Sequence, residues 1–152
     1  QFTFLVLSNQ SIIYSVEQPF GGRQLTEDIQ RHYNLTWAEA GRAKRKGGLD
    51  ADYAEAMLNP FKTLLIEHVT RSIQVFYSST DTNKIDKLVL SGGVSKTDGL
   101  RDQISDAVGI PAEVIDLSKS ISVSHLPSSE RLTADIPAMM LAFGLALAKE
   151  SQ

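Results

Sequence analysis

Residues 88–100 read Leu-Val-Leu-Ser-Gly-Gly-Val-Ser-Lys-Thr-Asp-Gly-Leu, and this stretch decides the fold. The apolar run Ile85–Leu90 predicts a buried strand, which ends at Gly92-Gly93 and turns directly into a helix running to about Val108. Paired glycines let the main chain approach a ligand, and a helix N-terminus presents free N–H groups and the positive end of its dipole. Two interpretations stay open from these residues alone: a phosphate or nucleotide site, or a tight strand-to-helix turn.

Upstream of this stretch, the sequence predicts a hairpin and then a run of helices. The strands Phe2–Leu7 and Ile12–Val16 flank the polar turn Ser8–Gln10. The spacing of apolar residues then predicts four helices, at Arg23–Tyr33, Trp37–Lys46, Ala51–Leu58 and Phe61–Tyr77.

Two of these helices carry recognisable start signals. Thr36 and Glu39 form a capping box, and Gly47-Gly48 ends the helix that it starts. Asn59-Pro60 is expected to begin the last helix, with Asn59 as its N-cap. The buried face of that helix is predicted to consist of Leu64, Leu65, Val69, Ile73 and Phe76.

Downstream, the sequence predicts a second strand at Glu113–Asp116, a long loop at Ser118–Glu130 and an apolar helix at Asp135–Lys149. The order of elements indicates an α/β fold in which the hairpin joins a mixed sheet with packed helices. We expect a single domain over residues 1–152. Residues 1–20 and 86–152 would form its sheet part, and residues 21–85 a mostly helical part.

Composition excludes several classes of protein. A net charge of −3 argues against broad nucleic-acid binding, and the absence of cysteine excludes a disulfide scaffold or a thiolate metal site. No apolar run reaches the roughly 18 residues of a membrane-spanning helix, so we expect no direct membrane insertion. Because the chain opens directly on a strand at Phe2, we expect it to be part of a longer protein.

The common catalytic and metal motifs are missing. His32, His68 and His125 lack metal-ligand spacing, and no serine lies in a G-x-S-x-G context, so we predict no metal site and no catalytic residue. A dinucleotide site is one alternative, since Asp116 follows the glycines by about 20 residues. The glycines do not form G-x-G-x-x-G, however, and no G-x-x-x-x-G-K-[ST] loop is present.

The basic run Arg42–Lys46 also admits two interpretations. Cations in the last turn of a helix interact favourably with its dipole, so the run could be a solvated helix end. It could instead place an ammonium and a guanidinium beside a nucleotide.

Several motifs together resemble the PilM family, the actin-like ATPases of type IV pilus assembly. They are Pro-Phe-Gly-Gly-Arg-Gln-Leu-Thr-Glu-Asp-Ile at residues 19–29, the segment 49–61, Arg-Ser-Ile-Gln at 71–74, Leu-Ser-Gly-Gly at 90–93, Asp-Ile-Pro-Ala-Met-Met at 135–140 and Gly-Leu-Ala-Leu at 144–147. The resemblance implies an actin-like, ribonuclease H-like fold. It also implies that the chain is the C-terminal half of such a protein, with the N-terminal domain missing.

The resemblance further implies which residues contact a nucleotide. In that family the nucleotide lies in a cleft, so the glycine turn would approach the adenosine, Gly22 the sugar and phosphates, and Lys44 with Arg45 the base. One departure is Gly41, which stands where similar sequences have a carboxylate for the ribose. The implied cofactor-binding residues are Gly22, Lys44, Arg45, Gly92, Gly93, Val94, Ser95 and Lys96.

The resemblance implies a cytoplasmic scaffold, peripheral at the inner membrane through its partners. ATP or ADP with Mg²⁺ would bind the full-length protein, and the cytoplasmic tail of PilN would bind its missing N-terminal domain. Because the phosphate loops would lie upstream, we expect this chain alone to be inactive and to bind ATP weakly. We also expect self-association, as a homodimer through unpaired strand edges. An active phosphotransferase of the same superfamily is a further alternative.

Overall fold

The computed structural model describes residues 1–9, 11–50, 52–82 and 84–115. The chain divides into two compact units, Gln1–Lys84 and Ile85–Gln152. The predicted loop at Ser118–Glu130, the predicted helix at Asp135–Lys149 and Asp116 all lie outside the described residues. The proposed division into a sheet part and a helical part stays a prediction.

The first unit begins with the predicted hairpin. Strands β1 (Phe2–Ser8) and β2 (Ser11–Gln18) pair antiparallel, with an irregularity between Val6 and Leu7. Alternation along β1 turns Phe4 into the core, where its ring meets the edge of the Tyr14 ring at 6.2 Å. The hairpin prediction is therefore confirmed.

The hairpin also exposes four large aliphatic side chains. They are Leu5, Leu7, Ile12 and Ile13, each between 44% and 62% exposed. Large exposed aliphatic side chains favour association with another surface. Self-association stays a prediction.

Helices α1 (Gly22–Tyr33) and α2 (Trp37–Lys46) follow the hairpin, as predicted. Leu25 and Ile29 bury the inner face of α1. The capping box of α2 is present in full. The backbone N–H of Glu39 donates to the Thr36 hydroxyl, and the Glu39 carboxylate accepts from the backbone N–H of Thr36 over 2.9 Å. Gly47, with φ of 76°, ends the helix.

Helix α3 (Asn59–Ser79) shows two corrections to the prediction. Asn59 is not an N-cap, because a π-helical turn at Ala54–Leu58 runs straight into α3 and Asn59 itself is helical. Pro60 lacks the N–H that a continuous α-helix would use, and the π-helical turn just before it changes the hydrogen-bond register. Leu64 is 43% exposed, so it is not part of the buried face. That face comprises Phe61, Val69, Ser72, Ile73 and Phe76, with Lys62 also largely buried.

The described part of the second unit is a strand–helix–strand unit. Strand β3 (Leu88–Leu90) pairs in parallel with β4 (Ala112–Val114), and α4 (Leu100–Val108) lies between them in sequence. Both strands are shorter than predicted. The predicted direct turn into a helix is wrong, since a 3₁₀ turn at Gly93–Lys96 separates β3 from α4.

Buried apolar side chains hold the second unit together, namely Leu88, Leu100, Ile104 and Ile110. The described strands form one antiparallel pair in the first unit and one parallel pair in the second. Their joining into one mixed sheet stays a prediction. Among the described residues, no helix is long and apolar enough to cross a membrane.

Candidate functional site

The first candidate region is the start of α1, which an aromatic cluster fixes in place. Phe20 is 5% exposed, and its ring stacks on Phe61 at 5.2 Å and lies 4.4 Å from the His68 ring. The next residue, Gly21, has φ of 152°, and a Cβ there would come within 3.0 Å of the Gln1 backbone nitrogen. Gly21 is therefore required by local packing, whatever the function of the region.

Lys44 reaches from α2 to the first turn of α1. Its Nζ donates to the carbonyl oxygen of Gly22 and to the hydroxyl oxygen of Thr26, both over 2.6 Å. Thr26 is 3% exposed, and its hydroxyl donates to the same Gly22 carbonyl over 2.9 Å. Lys44 can reach this point because helical spacing places it on the side of α2 that carries the buried residues Ala40 and Gly41. The structure thus brings the predicted residues Gly22 and Lys44 into contact.

The surroundings of Lys44 change its acid–base behaviour. Burial lowers the pKa of the Lys44 ammonium from its ordinary value, and the neighbouring Arg45 guanidinium lowers that pKa further. Within the described residues, the two hydrogen bonds use two of the three N–H donors of the ammonium. A half-buried cation with a donor to spare can accept an anionic or carbonyl ligand at little further desolvation cost. Arg45 itself is exposed.

The second candidate region is the glycine turn after β3, which one serine closes. Ser95 is 6% exposed, and its hydroxyl donates to the Gly92 carbonyl over 2.7 Å. The Ser95 backbone N–H donates to the same oxygen over 3.1 Å. Gly92 has φ of 91° and ψ of 168°, a conformation that is essentially restricted to glycine. The side chain of Ser95 and the backbone of Gly92 are therefore engaged in forming the turn.

The rest of the turn is more open. Gly93 is exposed and is not among the glycines with positive φ. Apart from the residues adjacent in the chain, no side chain or other segment of the described residues lies within 4 Å of a Cβ built at Gly92 or at Gly93. Val94 is half-buried, and Lys96 is exposed. The main chain at this turn is consequently accessible to a ligand.

Sequence reasoning missed one residue of the first region. Thr26 lies four residues after Gly22, so the helical repeat places its hydroxyl beside the Gly22 carbonyl. The Leu-Thr of the glycine motif at residues 19–29 was a usable signal for that contact. The described residues contain no group of three His, Asp or Glu side chains that could hold a metal ion.

Comparison with known proteins decides the family. The family model described as "Type IV pilus assembly protein PilM" matches residues 1–150. The chain belongs to the PilM family. The resemblance seen in the sequence motifs is thereby confirmed.

Two solved structures resemble this PilM-family chain. A chain from the "PilM-PilN type IV pilus biogenesis complex" is 25% identical with a TM-score of 0.78, and the match covers 96% of this chain and 42% of that one. The ethanolamine utilization protein EutJ from Carboxydothermus hydrogenoformans is 18% identical with a TM-score of 0.51, over 74% of this chain and 39% of that one. The chain thus spans less than half the length of either structure. The predicted actin-like α/β fold is confirmed.

Proposed function

We propose that this PilM-family chain is the nucleotide-contacting part of a cytoplasmic scaffold in type IV pilus assembly. The observation that supports the proposal most directly is the presence of glycine at position 93. Its backbone does not require glycine, and no described atom lies where a side chain would project. A glycine without a structural reason in a strand-to-helix turn is best explained by close approach of a ligand.

The residues present fit an adenine nucleotide. The exposed main chain of Gly93 offers polar groups to an adenosine, flanked by the half-buried Gly92 and Val94 and by the exposed Lys96. Ser95 would act indirectly, because its hydroxyl closes the turn.

In the first unit, Lys44 supplies positive charge and a hydrogen-bond donor beside Gly22, and Arg45 is an exposed cation that follows it on α2. In the full-length protein, hydrolysis of ATP bound with Mg²⁺ would supply free energy.

Substitution of Gly93 tests this proposal in the full-length protein. Gly93→Ala should leave the melting temperature unchanged and weaken ADP binding at least about tenfold, measured by calorimetric titration. Ser91→Ala is the matched control, since Ser91 is exposed and lies two residues earlier in the same turn. Equal ADP affinity in all three proteins would refute the role of the turn.

Titration with NADH and an assay of phosphate transfer address the two alternatives. A dinucleotide site would make NADH bind more tightly than ADP, although the acidic residue it needs, Asp116, lies outside the described residues. A phosphotransferase would transfer phosphate from ATP to a small acceptor. No feature of the described residues favours either function over nucleotide binding by a scaffold.

The proposed partner is PilN, and the proposed location is the cytoplasmic face of the inner membrane. Support comes from the similar solved structure, which is a PilM-PilN type IV pilus biogenesis complex. The full-length protein should bind a peptide of the cytoplasmic tail of PilN and should not bind the same residues in scrambled order. Failure to bind the peptide at any tested concentration would reject PilN as the partner.

A further inference from the structure

The hydroxyl of Thr26 is the most enclosed polar group in the contact between α1 and Lys44. Thr26 is 3% exposed, and its hydroxyl donates to the Gly22 carbonyl over 2.9 Å. The hydroxyl has a single proton, so toward Lys44 it can only accept, and the Lys44 Nζ donates to it over 2.6 Å. Because it is buried and its proton is engaged, Thr26 does not touch a ligand itself and acts on one only through its neighbours.

Two fixed acceptors determine the direction of the Lys44 ammonium. A lysine ammonium is a point charge with three N–H donors on a flexible stem, and a single acceptor leaves it free to rotate about that hydrogen bond. Here the Gly22 carbonyl and the Thr26 hydroxyl are both bonded to Nζ over 2.6 Å. With two of its donors held at different points, the ammonium presents its third N–H in a set direction.

The surroundings of Lys44 give that third N–H a use. The exposed cations Arg71 and Lys96 are solvated by water, whereas Lys44 is half-buried. Both acceptors of the ammonium are neutral oxygens, and no ion pair joins it to a carboxylate in the described ranges of the chain. Burial, and then the neighbouring Arg45 guanidinium, lower the pKa of Lys44, so its charge is poorly compensated. An acceptor on a ligand would offset part of this cost.

Helix formation by itself does not account for a threonine at position 26. A β-branched residue has a lower helix propensity, and a hydroxyl bonded to the carbonyl four residues earlier slightly destabilises a helix. Valine would fill nearly the same volume at this buried position and would bring no polar atom to satisfy. What valine lacks is the oxygen that accepts from Lys44.

We propose that Thr26 is a positioning residue, whose hydroxyl holds the Lys44 ammonium so that its third N–H is aimed at the bound nucleotide. The inference rests on the proposed function, because the ligand is the nucleotide of that proposal. It adds a specific role for a buried residue that makes no contact with the ligand. The competing explanation is that Thr26 only ties α1 to α2, in which case its hydroxyl would affect stability but not the affinity for a nucleotide.

The test compares two substitutions in the full-length protein. Thr26→Val keeps the volume and removes the hydroxyl, whereas Thr26→Ser keeps the hydroxyl and removes a methyl group. Calorimetric titration with ADP should show binding weakened about fivefold or more in Thr26→Val and within about twofold of wild type in Thr26→Ser. If Thr26→Val does not fold, Thr26→Ala takes its place, since alanine favours a helix.

A double-variant cycle shows whether Thr26 acts through Lys44. Lys44→Met alone should weaken ADP binding, and adding Thr26→Val to it should cause no further loss. Thr63→Val is the matched control, because the Thr63 hydroxyl also donates to the carbonyl four residues earlier, that of Asn59, but at an exposed position. It should keep the wild-type affinity.

A second measurement needs no ligand. NMR relaxation of the free protein with labelled lysine reports the motion of the Lys44 ammonium, whose signal is assigned by its absence in Lys44→Met. The ammonium should move faster in Thr26→Val than in wild type, because it has lost one of its two acceptors. Unchanged motion would overturn the positioning role.

The outcomes separate this inference from the proposed function. If the wild-type protein does not bind ADP, the proposed function fails and the role of Thr26 fails with it. If the wild-type protein does bind ADP, three results overturn the role of Thr26 alone. They are unchanged affinity in Thr26→Val, an equal loss in Thr26→Val and Thr26→Ser, and a further loss when Thr26→Val is added to Lys44→Met.

Discussion

The Nζ atom of Lys44 lies 2.6 Å from the carbonyl oxygen of Gly22 and so joins the end of α2 to the beginning of α1. The bond links the basic run to the first glycine pair, two motifs that sequence analysis could only set side by side. Because Thr26 shares both the donor and the acceptor, the three groups form one closed network. Such a network is worth more than an isolated surface hydrogen bond, since it is partly screened from water.

Removing the ammonium should therefore destabilise the protein. Lys44→Met should lower the free energy of unfolding by about 1–3 kcal/mol, because the Thr26 hydroxyl and the Gly22 carbonyl lose a charged donor. Lys46→Met, at an exposed position on the same helix, should stay within about 0.5 kcal/mol of wild type. Urea denaturation of both variants measures the difference. If Lys44→Met is as stable as Lys46→Met, the contact of Lys44 with Gly22 and Thr26 contributes nothing to stability.

The capping box predicts a pH dependence. The hydroxyl of Thr36 and then its backbone N–H lower the pKa of Glu39 below its ordinary value of 4.5. A carboxyl group with a lowered folded-state pKa stabilises the protein above its unfolded pKa, and this contribution is lost as the pH falls through the folded pKa. Glu39→Gln should thus be less stable than wild type at neutral pH, and the difference should narrow in acid.

Chemical denaturation at neutral and acid pH measures this effect. The control is Glu55→Gln, at an exposed carboxylate in the π-helical turn. The interpretation fails if the stability difference for Glu39→Gln is the same at both pH values.

A third prediction concerns the buried face of α3. Phe76 is fully buried and lies 5.5 Å from the Tyr14 ring of the hairpin, whereas Leu64 is 43% exposed. Phe76→Ala should cost about 3–5 kcal/mol of unfolding free energy by leaving a cavity. Leu64→Ala should cost much less, roughly 0.5 kcal/mol or below, as for other surface substitutions. Thermal and urea denaturation of both variants measure the two losses of unfolding free energy. Comparable losses would mean that Leu64 belongs to the core.

The success of the sequence predictions depended on how local each feature is. The hairpin and the Thr36–Glu39 capping box were correct, because a few neighbouring residues determine them. The prediction that Asn59 is an N-cap was wrong, because the Asn-Pro pair that usually starts a helix lies inside a longer helical segment here. The prediction that Leu64 is buried was wrong, because the spacing of apolar residues indicates which side of a helix is buried but not how wide the buried side is.

The partners of Lys44 could not be predicted from helical spacing. The contact joins residues 22 positions apart, and only the packing of α2 on α1 brings them together. Sequence placed Gly22 and Lys44 near one another solely through the family resemblance.

The two glycines of the central turn should respond differently to substitution. Gly92 has φ of 91° and ψ of 168°, where an alanine is strained, so Gly92→Ala should cost about 1–3 kcal/mol of unfolding free energy. Gly93→Ala should change that free energy by less than about 0.5 kcal/mol, since Gly93 lacks a positive φ and no described atom obstructs a Cβ. Urea denaturation of the two variants provides the measurement.

Equal destabilisation by both substitutions would show that Gly93 also has a structural role, and its glycine would then need no ligand to explain it. If only Gly92→Ala destabilises, Gly92 belongs to the turn, because its carbonyl accepts both hydrogen bonds from Ser95. A loss of ADP binding in Gly92→Ala would then be ambiguous between folding and contact. The same loss in Gly93→Ala would report on the ligand alone.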